Sequence, residues 1–160
     1  MGRLVQYFGL GDATTLGVGV SGAIRAEGSG EHRDLLGADV YLRIRPPAKR
    51  AHLALTGEVF ARRLGTALSA ADWGAYAQAF WRPAPRWGWG IRWDTAPTAP
   101  ESTADPGREN RYSALASFFP SEFQRIRLQV GYDRLPGGEG GLEALLGLEF
   151  SIGAHGAHPF

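Results

Sequence analysis

An all-β chain of antiparallel, up-and-down strands is what this sequence predicts, and three observations carry the prediction. Apolar and polar residues alternate with a period of two along nearly the whole chain, while helical i, i+3, i+4 stripes are hard to find. Turn-forming residues interrupt the alternation at intervals, and the interruptions are tight and long by turns. Hydrophobic residues make up 44% of the 160, yet no stretch approaches the ~20 consecutive apolar residues of a membrane helix. The length suits one domain, residues 1–160.

Eight strands follow from the alternation. In 15–26, Leu16, Val18, Val20, Ile24 and Ala26 oppose Thr15, Gly17, Gly19, Ser21 and Arg25. In 35–46, Leu36, Ala38, Val40, Leu42 and Ile44 oppose Gly37, Asp39, Tyr41, Arg43 and Arg45. The run 50–63 sets Ala51, Leu53, Leu55, Val59 and Ala61 against His52, Thr56, Glu58, Phe60 and Arg62. In 73–83, Ala75, Ala77, Ala79 and Trp81 face away from Tyr76, Gln78 and Arg82. The fifth run, 86–95, sets Trp87, Trp89, Ile91 and Trp93 against Arg86, Gly88, Gly90, Arg92 and Asp94. The sixth, 110–119, places Tyr112, Ala114, Ala116 and Phe118 opposite Arg111, Ser113 and Ser117, with Leu115 and Phe119 fitting less well. The seventh, 123–134, opposes Ile126, Leu128, Val130 and Tyr132 to Arg125, Arg127, Gln129, Gly131 and Asp133. The last, 141–153, opposes Leu142, Ala144, Leu146, Leu148, Phe150 and Ile152 to Glu143, Gly147, Glu149 and Ser151, with Leu145 the exception. Each run is near the ~9–11 residues that span a bilayer at a tilt.

Connection lengths give the architecture a direction. Tight links at Pro46 to Lys49, Pro83 to Pro85 and Pro120 to Glu122 alternate with longer stretches at Glu27 to Asp34, Leu64 to Asp72, Ala96 to Glu109 and Leu135 to Gly140. Short turns at one end and long loops at the other are the habit of bacterial outer-membrane barrels. With the short turns on the periplasmic side, the eighth strand delivers Phe160 to the periplasm.

Alternation alone does not say which face points outward. A soluble barrel buries its apolar face and a membrane barrel shows it to lipid. Three details favour the membrane. Trp81 and Trp87 flank one tight turn, and Phe118 and Phe123 another, as interfacial aromatic girdles require. The apolar faces carry no charge at mid-strand. The chain also stops on Phe160 after an amphipathic last strand. The expectation is a transmembrane β-barrel in the bacterial outer membrane, with lipid as one partner. Phe150, Ile152 and Phe160 would form a signal for the barrel assembly machinery.

Three segments carry a family resemblance. Residues 36–46 (LGADVYLRIRP), 118–129 (FFPSEFQRIRLQ) and 149–160 (EFSIGAHGAHPF) resemble the C-terminal half of porin-like or TonB-dependent-receptor-like outer-membrane proteins. The resemblance implies a longer parent with strands before residue 1. Met1 to Tyr7 shows neither the apolar core nor the small-residue cleavage site of a secretion signal, which agrees with a C-terminal fragment or a mature form.

The polar face is the candidate site. Arg43, Arg45, Glu58, Arg62, Arg82, Arg92, Arg111, Arg125 and Arg127 share it by parity. Arginine stays charged under ordinary conditions and grips carboxylate or phosphate in a fixed fork. A basic ladder facing a lumen would pass or bind small anionic solutes. The competing reading is an ion-pair network that fills a small barrel, closed and non-conducting. A soluble ligand-binding barrel with reversed polarity is a further alternative. No cofactor is expected, and no enzyme: Ser113, Ser117 and His52 share the polar face without a motif that sets a nucleophile beside its base. His155 and His158 alone make a poor metal site, and no metal is expected. Cysteine is absent, which excludes disulfides and thiolate ligands. A net charge of +1 gives no pull toward nucleic acid.

Overall fold

The computed structural model describes residues 1–26, 32–47, 51–65, 71–98 and 107–152. Among them nine strands form one sheet in sequence order, each antiparallel to its neighbour. They are β1 (Gly2–Gly9), β2 (Thr14–Ala26), β3 (His32–Ile44), β4 (His52–Gly65), β5 (Ala71–Ala84), β6 (Trp87–Pro97), β7 (Arg108–Ser121), β8 (Gln124–Arg134) and β9 (Gly140–Phe150). No helix occurs among the described residues.

Two expectations need correction. There are nine strands and not eight, because the sequence pattern overlooks β1. Its apolar residues fall on both faces, Leu4 and Phe8 on one and Val5 and Tyr7 on the other, so no clean alternation marks it. The sheet also does not close into a barrel: β1 pairs only with β2, and β9 only with β8. Nine consecutive antiparallel strands leave the two edges running in the same direction, so a direct β1–β9 seam would be a parallel one.

The other eight strands fall on the expected runs; several reach further into the long loops, while β3 and β9 end, and β4 begins, two or three residues inside the predicted bounds. Extension at Asp34, Gly65, Asp72 and Glu109 narrows the contrast between short and long connections. The link 45–51 is now longer than 27–31, while 85–86 and 122–123 stay tight. Main-chain bonds tie the short-turn end together: the Arg45 amide donates to the Ala13 carbonyl at 2.6 Å, and the Phe119 amide to that of Arg86 at 2.9 Å. Pro83 and Pro120 lie inside β5 and β7, where a ladder donor would be missing. Each sits where the register slips, between Trp81 and Ala84 and between Phe118 and Ser121. A bulge next to each tight turn absorbs the proline.

A buried apolar core is almost missing. Leu115, at 8% exposure, is the buried hydrophobic residue among those described; the other buried side chains are Thr95, Ser113 and Ser117. Cross-strand hydrogen bonding and the packing of side chains on one face hold the sheet together.

Candidate functional site

Register sorts the side chains onto two faces. On the apolar face, Leu42, Leu55, Ala79, Ile91, Ala114, Val130 and Ala144 stand in one row across β3 to β9. This face is the more exposed: Leu142 is 79% accessible and Ile91 66%. Trp73, Trp93, Tyr112 and Tyr132 border it toward the long loops, and Trp81, Trp87, Trp89 and Phe118 toward the short turns. Trp87 stacks on Trp89 with centroids 5.8 Å apart, and packs on Phe118 at 4.8 Å. Between the aromatic rows, small side chains such as Ala77, Ala79 and Ala114 leave an open trough of about 940 Å³ across the strands.

The apolar band is oblique to the strands. Its short-turn margin is Leu16 in β2, and the row through Leu16 reaches Ala144 in β9. In β9 the band continues to Phe150, at the strand's end. That drift is roughly 20 Å along the strand over roughly 34 Å of sheet, using about 3.3 Å per residue and about 4.8 Å per strand. The loop-side margin drifts the same way: the row through Leu142 meets β3 at Val40, while the band in β3 begins at Leu36. The two margins give a slope of about 25–30°, somewhat flatter than the ~35–45° strand tilt of barrels. Beyond the loop-side margin the same parity turns charged, at Asp34, Arg63, Arg108 and Arg134. There Arg108 lies 3.6 Å over the Trp73 ring, and the Trp93 indole donates to Asn110 at 3.2 Å.

The opposite face is polar and the more buried. It carries Arg43, Glu58, Arg62, Arg82, Arg92, Arg111, Arg125 and Arg127, with Arg45 just past the end of β3. Four of these eight arginines meet a carboxylate among the described residues. Arg62 grips Asp72 at 3.1 and 2.6 Å, and Arg111 grips Asp133 at 2.5 and 2.6 Å while reaching Glu143 at 2.7 Å. Arg92 bonds Asp94 at 2.6 Å and lies 4.0 Å over the Tyr76 ring, and Tyr76 is the cross-strand partner of Glu58. Arg125 meets Glu149 at 2.7 Å. Arg3 of β1 crosses β2 to bond Asp39 of β3 at 3.1 Å, which it can do because Gly19 leaves the intervening position empty. A polar depression of about 680 Å³ lies toward the loop end, lined by Phe60, Tyr76, Arg92, Asp94, Glu109 and Arg111 among others.

The sequence pattern misses several of these partners. Asp72 reads as loop, and Arg3 lies in the overlooked strand. Leu115 looks like an exception to the alternation, yet it covers Gly90, whose added Cβ would lie 2.6 Å from Leu115 Cδ1. Of the residues expected to signal assembly, Phe150 ends β9 and Ile152 follows it, both exposed; Phe160 lies outside the described residues, as do His155 and His158.

No protein-family model, curated protein or solved structure matches this chain. Its chemistry must therefore be read from its own two faces. No group of three or more potential metal ligands gathers among the described residues.

Proposed function

We propose that this chain forms the wall of a bacterial outer-membrane β-barrel, porin- or receptor-like, with its Arg-rich polar face bordering a path or binding site for small anionic solutes. The observation that carries the reading is the exposed apolar band, bordered by aromatic rows and slanted across the strands. In lipid such a band lies level with the bilayer, and its slope becomes the strand tilt. From Trp73 to Trp81, β5 covers about 26 Å along its axis. Tilted by about 30°, this is roughly 23 Å of height, against the ~25 Å apolar belt of outer-membrane barrels. Water-soluble monomers rarely leave so much apolar surface uncovered, which weighs against the soluble ligand-binding alternative.

A second reading, a closed non-conducting barrel, is favoured by the ion pairs and by Leu115, which together occupy the polar face. A barrel of eight or nine strands has an interior just wide enough for such filling.

Two measurements on the full chain test these readings. Refolded with lipid vesicles, the chain should float with them in a density gradient; if it stays with the soluble fraction, the membrane reading fails. Unheated and boiled samples from detergent should migrate differently on a gel if the strands close on themselves. An identical mobility would mean that the edges at β1 and β9 stay open. Single-channel recording then separates the porin-like reading, which conducts, from the filled barrel, which does not.

A further inference from the structure

The arginines of the polar face differ in what they meet. Arg3, Arg62, Arg92, Arg111 and Arg125 each meet a carboxylate, whereas Arg25 and Arg127 stand apart in β2 and β8. At the short-turn end of β3–β5, Arg43, Arg45, His52 and Arg82 gather with no carboxylate partner among the described residues. They are close enough together to act on one another. Arg43, Arg45 and Arg82 all bear electrostatically on His52, and Arg45 bears on Arg82. His52 and Arg82 are direct cross-strand partners, and the His52 ring lies 6.3 Å from that of Phe80.

Arg82 is held in place. Its guanidinium lies 4.0 Å over the Phe119 ring and donates through Nη2 to the Pro85 carbonyl. Its Nε is nevertheless buried without a hydrogen-bond partner, and so is the Oγ of Ser117, 1% exposed on the same face. Gathered cations with unmet donors in a half-buried place are costly unless a counter-charge arrives. A guanidinium fork fits an oxyanion in particular.

We propose that Arg43, Arg45, His52 and Arg82 form a binding site for a small oxyanion, phosphate or carboxylate, at the short-turn end of the polar face. The site rests on the reading of this face as the solute-facing one, and it assigns the solute to one end of it. The loop-end depression is the poorer candidate, because Arg92 and Arg111 there are already neutralised by Asp94, Asp133 and Glu143.

The test is isothermal titration of the full chain, folded in detergent, with inorganic phosphate and separately with acetate, against sodium chloride at matched ionic strength. Saturable binding of either oxyanion is expected, weakened more than tenfold in R82Q and in the double variant R43Q/R45Q. The variant R134Q, which removes an arginine from the opposite face, should bind within twofold of the parent. Circular dichroism and thermal melting on the same samples exclude misfolded variants, and R82K, keeping the charge but losing the fork, should bind with intermediate affinity. Heat no larger than the chloride control, or equal loss in R134Q and R82Q, overturns the site. Vesicle flotation on the same preparation keeps the two proposals apart. A chain that floats but binds no oxyanion loses only this inference, whereas one that binds and fails to float loses only the membrane reading.

Discussion

The two faces of β8 differ in a way that composition alone does not explain. Ile126, Leu128, Val130 and Tyr132 are exposed, while Arg125, Arg127, Gln129 and Asp133, one residue out of step, are partly covered. In a water-soluble sheet the order would be reversed, since burial of apolar area is the main favourable term in folding. Here the charged side chains gain cover from one another and from the aromatic and aliphatic groups among them, and the apolar side chains stay exposed. The difference teaches that the stabilising interactions of this sheet are divided between two sources. Ion pairs and ring stacking act inside the protein, and under the proposed membrane reading apolar transfer acts between the protein and lipid.

Substitutions sharpen that division, and the largest effect should come from the apolar face. Leu128→Arg at the middle of the band should lower stability in lipid by about 2–4 kcal/mol, the cost of a cation at mid-bilayer on a barrel's outer face. Urea unfolding in vesicles reads it; an unchanged midpoint would mean that this face does not contact hydrocarbon. Next comes Leu115→Ala, which opens a cavity over Gly90 and should cost roughly 2 kcal/mol, the low end for a buried leucine. This loss should appear in detergent and lipid alike, because the side chain is covered by protein. Arg62→Ala should cost about 1 kcal/mol, between an exposed pair and a fully buried one, since both partners keep some solvent contact. The smallest effect is expected for Arg134→Gln beyond the loop-side margin, within about 0.5 kcal/mol as for ordinary surface changes. A loss there as large as at Leu128 would show that the band has been drawn at the wrong height.

How much of this could be read from the sequence follows from what each feature depends on. Strands β2 to β9 were legible because alternation is a property of a single strand, and so was membership of the polar face, which needs only parity. The strand β1 was not, because Leu4, Val5, Tyr7 and Phe8 place apolar groups on both sides. Partnerships lay further out of reach. Arg111 meets Asp133, its partner in β8, and reaches diagonally to Glu143 in β9, whose own partner is Gly131; a reading made strand by strand cannot supply that alignment. The same holds for Leu115 over Gly90, which breaks the pattern within β7 and satisfies it across β6. Closure was beyond the pattern altogether: the number of strands is odd once β1 is counted, and the seam that eight strands would have made does not form.

Pairing in strict sequence order has a consequence for how the sheet is made. Each strand pairs only with the one before and the one after it, so every pairing closes a loop no longer than a single hairpin. Local loops are entropically cheap to close and fast to form, and the pairing within this sheet joins no two strands that are distant in sequence. Hairpins can therefore be laid down one after another, each new strand using the last as its template. The sheet grows like a row of planks, and a fault in one hairpin is felt first by its two neighbours.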